Sequence, residues 1–214
     1  MKKTLILLGG NLYQGRGYQK EKFDYVIAAD GGLIAAEKMG ILPTHIVGDF
    51  DTVPKEMVDF YQKKNIPVRI FQPEKDMTDG QIAVEMAVEY QSEEIYILGG
   101  IGTRMDHTLG NIQLLALPLK ENIPCYLCDD YNRIQLIQKE KIVRKAEVFG
   151  KYISLLPFTS VVRDLTLGGF RYPLCHYDMD IRTNLTLGIS NELKEEEGRI
   201  SFSEGILILI EARD

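Results

Sequence analysis

From its first residues to Asp130 the chain alternates short runs of β-branched and aliphatic residues with segments whose apolar side chains recur at helical spacing. That alternation calls for βαβ units, and hence a parallel sheet covered by helices on both faces. The predicted strands run from Thr4 to Leu8, Tyr25 to Ala29, His45 to Val47, Val68 to Phe71, Ile95 to Leu98 and Pro124 to Cys128. Between them, Leu33 to Met39, Lys55 to Lys64, Gly80 to Tyr90 and His107 to Leu117 carry the helical pattern. Thr78 before Gln81 fits a capping box, which starts the third helix right after Thr78. Asp106 is placed to cap the fourth. After Asp130 the pattern changes to short strands and turn residues: Arg133 to Ile137, Tyr152 to Pro157, Val161 to Leu167, and a closing hairpin from Ile200 to Ile210 that turns at Glu204-Gly205. Two domains are expected, an α/β domain over residues 1–130 and a smaller all-β domain over residues 131–214.

Charge narrows the partners. With 31 acidic against 25 basic residues the net charge is -6, so no overall positive field gathers nucleic acid. The opening Lys2-Lys3 and the apolar run to Leu8 end in Gly9-Gly10, with no small-residue cleavage site, and read as a first buried strand, not a signal peptide. No stretch approaches the roughly 18 apolar residues of a membrane helix. A cytoplasmic protein without membrane partners is expected. Cys125 and Cys128 form a C-x-x-C, but they lie three apart on a predicted strand and point to opposite faces, which reads as packing and not as a metal or redox pair. The charged runs Lys139-Glu140-Lys141 and Lys194 to Gly198 read as solvated turns.

In an open α/β sheet ligands bind beyond the carboxyl ends of the strands. Four of those junctions here are acidic: Asp30-Gly31-Gly32, Gly48-Asp49-Phe50-Asp51, Glu74-Lys75-Asp76-Met77-Thr78-Asp79, and Gly99 to His107 with Asp106. An aspartate at one junction is an ordinary turn or N-cap residue. Four together are costly, since two carboxylates about 5 Å apart repel by roughly 3 kcal/mol at an effective dielectric near 20. Protonation or a cation must offset this, and hard oxygen ligands suit magnesium that also touches substrate phosphates. Asp49 and Asp51, two apart on a segment expected to be extended, can share one ion. Arg104 and the start of the fourth helix supply groups for phosphate oxygens. His107 adjoins the cluster as a candidate acid or base, whereas His45 and His176 read as structural or surface residues. Gly9-Gly10 is short of a G-x-G-x-x-G fingerprint, and no Walker lysine loop or G-x-S-x-G elbow is present. The chemistry expected is magnesium-dependent transfer of a phosphorus-containing group from a nucleotide.

Taken in order, Asp30-Gly31-Gly32, Gly48-Asp49-Phe50-Asp51, Lys75-Asp76-Met77-Thr78-Asp79 and Arg104-Met105-Asp106-His107 resemble the motifs of the thiamin pyrophosphokinase family. Gly169 to Leu174 and Gly188-Ile189-Ser190-Asn191-Glu192 resemble that family's segments around the thiamin pocket, so the likeness covers nearly the whole chain. The resemblance implies a Rossmann-like parallel-sheet domain followed by a β-sandwich, and a homodimer whose sites lie between subunits. It further implies transfer of a pyrophosphoryl group from ATP to the hydroxyl of thiamin. Asp49, Asp51 and Asp79 would then hold Mg2+, with Asp30 and Asp76 in the same catalytic pocket. Arg104, Asp106, His107 and Asn132 would border the nucleotide, and Ser190 and Asn191 would face thiamin.

The chain departs from the family pattern at Thr52, where serine commonly follows G-D-F-D, and at Arg171, where lysine is frequent. It also has no tryptophan, which leaves Phe170, Tyr172 or another residue to pack on thiamin, and Tyr172 is taken as the thiamin-binding aromatic. Two other readings share the acidic rim: a nucleotide pyrophosphatase that activates water, and a nucleotide sensor without turnover. The polar Ser190-Asn191 segment favours an organic acceptor over the first.

Overall fold

The computed structural model describes residues 1–11, 18, 22–70, 77–183 and 186–214. They form two compact units, Met1–Asp130 and Tyr131–Asp214. In the first, strands β1 (Lys3–Leu7), β2 (Tyr25–Ala29), β3 (His45–Gly48), β4 (Val68–Ile70), β5 (Glu94–Leu98) and β6 (Cys125–Cys128) alternate with helices α1 (Gly32–Met39), α2 (Lys55–Lys63), α3 (Asp79–Glu89), α4 (Met105–Leu114) and α5 (Ala116–Lys120). All the strand pairs are parallel, in the order β4-β3-β2-β1-β5-β6. After their first residue β1, β2 and β5 are buried throughout, as both-face coverage requires.

The strand order reverses at β1, whose neighbours are β2 and β5, and this is the switch point at which open α/β sheets leave a crevice. There the two loops run backbone against backbone: Leu8 N donates to Leu98 O and Gly10 N to Gly99 O, both at 2.9 Å. A Cβ on Gly10 would stand 2.3 Å from Gly99 O, and one on Gly99, at φ 75, the same distance from Leu8 O. Gly10 and Gly99 are therefore required by this close loop packing, while Gly9 lies against Gly31 after β2.

Thr78 caps α3 as its sequence promises, its hydroxyl accepting from Gln81 N at 3.2 Å. Asp106 does not cap α4. The N-cap is Arg104, and Asp106 falls inside the first turn. Cys125 and Cys128 are buried in β6 and form no disulfide, and burial pushes the Cys125 thiol up, out of reactive range. Among the described residues no helix is long and apolar enough to cross a membrane.

The second unit holds β7 (Asn132–Ile137), β8 (Lys141–Arg144), β9 (Tyr152–Pro157), β10 (Val161–Gly168), β11 (Leu174–Asp180), β12 (Glu197–Ser201) and β13 (Leu207–Ala212). β13 pairs antiparallel with β7 and β9, while β11-β10-β12-β8 form a separate antiparallel sheet. One core cluster takes Ile153, Leu155, Leu207 and Leu209 from the first set and Val162, Leu165 and Ile200 from the second, which makes the unit a sandwich. Across β7 and β13, the paired Arg133 and Glu211 bring Nη2 and Oε2 to 2.6 Å, and the nearly buried Glu211 also accepts from Phe149 N at 2.7 Å.

The predicted hairpin from Ile200 to Ile210 does not form. Ile200 and Leu207 belong to different sheets, and residues between them bond elsewhere: Arg163 N donates to Glu204 O and Phe158 N to Ile206 O. Lys139-Glu140 and Lys194 to Glu196 are exposed and lie outside the strands, as the charge pattern leads one to expect, and only the last residues of each run enter a strand. Lys141–Arg144 is β8 and Glu197–Ser201 is β12, each with charged residues outward and Val143, Gly198 or Ile200 inward. Alternation over so few residues is masked by the surrounding charge.

Candidate functional site

Two loops build the acidic centre. β2 is followed directly by Asp30, whose backbone enters the left-handed region at φ 44 while its N–H still donates to Val47 O at 2.8 Å. β3 ends at Gly48, where an added Cβ would meet Asp30 Cα and N at 3.1 Å, so only glycine lets this strand end lie against Asp30. Beyond it, Phe50 and Val53 turn inward onto the cluster of Ala28, Leu33, Ile46 and Val58. That anchorage leaves Asp49, Asp51 and Thr52 facing outward.

The segment from Asp49 to Asp51 is not extended, contrary to the sequence expectation. Phe50 sits at φ 58, and Asp51 N donates to Asp49 Oδ1 at 3.3 Å, so a local turn supplies the shared orientation that an extended strand would have given. Asp30, Asp49 and Asp51 each bring one carboxylate oxygen within 4.8 Å of the others. Asp51 feels the crowding: the Asp49 carboxylate chiefly, with weaker contributions from Asp30 and Asp79, raises its pKa above the usual aspartate value. Thr52 Oγ1 donates to Asp30 Oδ2 at 2.6 Å, while Asp30 Oδ1 is buried without a hydrogen-bond partner. Crowded hard-oxygen donors with one orphaned oxygen fit a divalent cation better than they fit water or a protein donor.

Asp79 opens α3 and reaches this group through its field on Asp51, but it stands outside the 4.8 Å set, whose third member is Asp30. Asp76 lies outside the described residues, as do the neighbouring Glu74 and Lys75. Arg104 is not an unengaged phosphate ligand here. Its Nε and Nη2 bond the two Asp106 oxygens at 3.2 and 2.5 Å, and this pairing, with the His107 backbone N–H, holds the Asp106 carboxyl down at about 2. His107 is exposed in the first turn of α4. The loop before α4 is tied down by Gly102 N donating to Thr108 Oγ1 at 3.2 Å and Asn111 Nδ2 donating to Gly100 O at 2.9 Å.

In the second unit Asn132 opens β7. Ser190, exposed at φ 56, donates its N–H to Ser154 Oγ at 3.0 Å. Asn191 is 6% exposed, and its amide is already engaged: Oδ1 accepts from Tyr172 N at 3.0 Å and Glu192 N at 2.9 Å, and Nδ2 donates to Tyr172 O at 2.8 Å. Asn191 thus fixes the backbone of Tyr172 instead of presenting its own amide. Phe170, 3% exposed, belongs to the sandwich core, whereas Tyr172 is 58% exposed with the Arg171 guanidinium 5.5 Å from its ring centre. Thr52 is the contact that sequence reasoning left without a role; its place directly after Gly48-Asp49-Phe50-Asp51 was the available signal.

The family model "Thiamin pyrophosphokinase, catalytic domain" matches residues 18–127, and "Thiamin pyrophosphokinase, vitamin B1 binding domain" matches residues 139–207. A thiamine pyrophosphokinase of Bacillus subtilis (strain 168) is 38% identical over 218 residues, covering all of both chains. The chain belongs to the thiamin pyrophosphokinase family. The crystal structure of a Bacillus subtilis thiamine pyrophosphokinase superposes with a TM-score of 0.88 at 38% identity, covering 100% of each chain. That of the Geobacillus thermodenitrificans thiamin pyrophosphokinase gives 0.85 at 32% identity, over 100% of this chain and 98% of the other. The thiamin pyrophosphokinase catalytic-domain match contains the three clustered carboxylates, and the vitamin B1 binding match contains Tyr172, Ser190 and Asn191.

Proposed function

We propose that this chain transfers the pyrophosphoryl group of ATP to the hydroxyl of thiamin, giving thiamin diphosphate and AMP, with Mg2+ held at the carboxylates of Asp30, Asp49 and Asp51. The observation that carries the metal reading is the convergence of those three carboxylates with the orphaned Asp30 Oδ1. Bound there, Mg2+ would neutralise charge on the transferring phosphates. Asp79, in the first turn of α3 and within electrostatic reach of Asp51, borders the same pocket, and Asp76 joins it by family resemblance.

The reaction breaks the bond between the α- and β-phosphates of ATP and makes one from the β-phosphorus to the thiamin oxygen, releasing the hydroxyl proton. Such a transfer depends on positioning and charge neutralisation more than on covalent help from the protein. Arg104 would bind a phosphate by exchanging Asp106 for it, and Asp106, His107 and Asn132 would line the nucleotide. Tyr172, held in place by Asn191, would pack on thiamin beside Ser190.

The first unit is the nucleotide and metal domain on this reading, and the second the thiamin domain. The protein acts in the cytoplasm as a homodimer with its sites between subunits. Supporting the dimer, the sandwich exposes Ile181, Leu187 and Ile189, and Ile181 lines an apolar cavity with Leu155, Leu156, Met179 and Ile208.

The test is product analysis of the purified protein with ATP, Mg2+ and thiamin. AMP and thiamin diphosphate in equal amounts, formed only when thiamin is present, are expected. AMP and pyrophosphate without thiamin would replace the transferase with a hydrolase, and ATP binding without product would leave a sensor.

A further inference from the structure

The best-defined contact at the acidic centre that the proposed reaction does not use is the hydroxyl of Thr52. Asp30 has a fixed backbone: it is left-handed, bonded to Val47 O, and pressed by Gly48. Its carboxylate is still able to rotate about the side-chain bonds. Thr52 Oγ1 engages Oδ2 at 2.6 Å, and this leaves Oδ1 as the oxygen that is buried and unpartnered. Val53, the next residue, is buried in the core under α2, so the position of Thr52 is set by packing and not by the carboxylate it holds.

We propose that Thr52 is a positioning residue for the metal centre: its hydroxyl locks the Asp30 carboxylate in the orientation that reserves one oxygen for the cation. Groups that orient metal-binding carboxylates through a hydrogen bond typically contribute about 10-fold or more in metal affinity. A hydroxyl is suited to the task because it donates to an anion without adding charge to a crowded acidic site. Serine would serve equally, since the methyl group takes no part in the bond, whereas valine keeps the shape and lacks the donor.

This inference rests on the proposed metal site, and the experiment separates the two. Mn2+ is titrated into the full chain without nucleotide or thiamin, and free Mn2+ is read by its electron paramagnetic resonance signal. Thr52→Val is expected to weaken binding on the order of 10-fold, Thr52→Ser to stay within about twofold of the parent, and Thr52→Ala to follow valine. Melting temperatures near the parent value in all three variants would assign the loss to the ion and not to the fold, as the exposure of Thr52 leads one to expect. Parent-like Mn2+ affinity in Thr52→Val and Thr52→Ala, or a serine variant as weak as valine, would overturn the role of Thr52 while leaving the metal site standing. A parent protein that binds no Mn2+ would overturn both.

Discussion

Asp51 stands against Asp49, Asp30 and Asp79, and the raised pKa that results gives it a stability signature of definite sign. A carboxyl whose folded value lies above its unfolded one holds its proton more tightly in the fold. Its favourable contribution is present below the unfolded value and is lost as pH rises through the folded one. In the metal-free protein at neutral pH, Asp51→Asn should therefore raise the melting temperature. That gain should shrink as pH falls through the ordinary aspartate range, where Asp51 is protonated folded or unfolded. The same variant should lower transfer by at least about 100-fold in the product assay, since it removes a carboxylate that would hold the cation on which neutralisation of the phosphate charge depends. Near-normal turnover would remove Asp51 from the metal site. Stabilised and inactive together is a pairing that a structural aspartate would not give, because its loss lowers stability.

At the scale of elements, Asn191 ties the connection between β11 and β12 to the connection between β10 and β11 and to β9. Its side-chain amide bonds the Tyr172 backbone twice and its main chain bridges Ile153 in β9. Asn191→Ala would strand the Tyr172 N–H and C=O, at a cost of about 1–3 kcal/mol by the usual penalty for a lost buried partner. With Tyr172 released, KM for thiamin should rise several-fold while KM for ATP changes little, as measured by varying each substrate in turn. An ATP defect of equal size would take Tyr172 away from thiamin. What was legible at this scale follows from local chemistry. Strands β1, β2 and β5 announce themselves by unbroken apolar runs, and α3 by Thr78 and Gln81. The edge strands β8 and β11 were unreadable because they carry too few inward residues to set a period of two, and the inner strand β12 because only Gly198 and Ile200 point inward among its charged residues.

At the scale of the whole molecule, the proposed homodimer would cover the apolar Ile181, Leu187 and Ile189 that the sandwich leaves exposed. Light scattering from the purified protein should give about twice the chain mass of 24.3 kDa, and a mass near the single value would overturn the dimer. The succession of β-branched runs and helical segments, the change of pattern at Asp130 and the run of aspartates after successive strands are all properties of neighbours in the chain. For that reason they determined the parallel sheet from sequence alone, and pointed to a change of architecture after Asp130 and to the aspartates that follow the strands. Which carboxylates converge was decided elsewhere. Asp30 displaced Asp79 from the close set because β2 and β3 are adjacent in the sheet, and Phe50 inverted the backbone that brings Asp51 back toward Asp49. The separation of Ile200 from Leu207 into two sheets, the burial of Phe170 and the engaged amide of Asn191 likewise depend on partners far away along the chain. Local spacing encodes periodicity and turn chemistry, but the distance between two side chains on different strands exists only once the strands have chosen their neighbours.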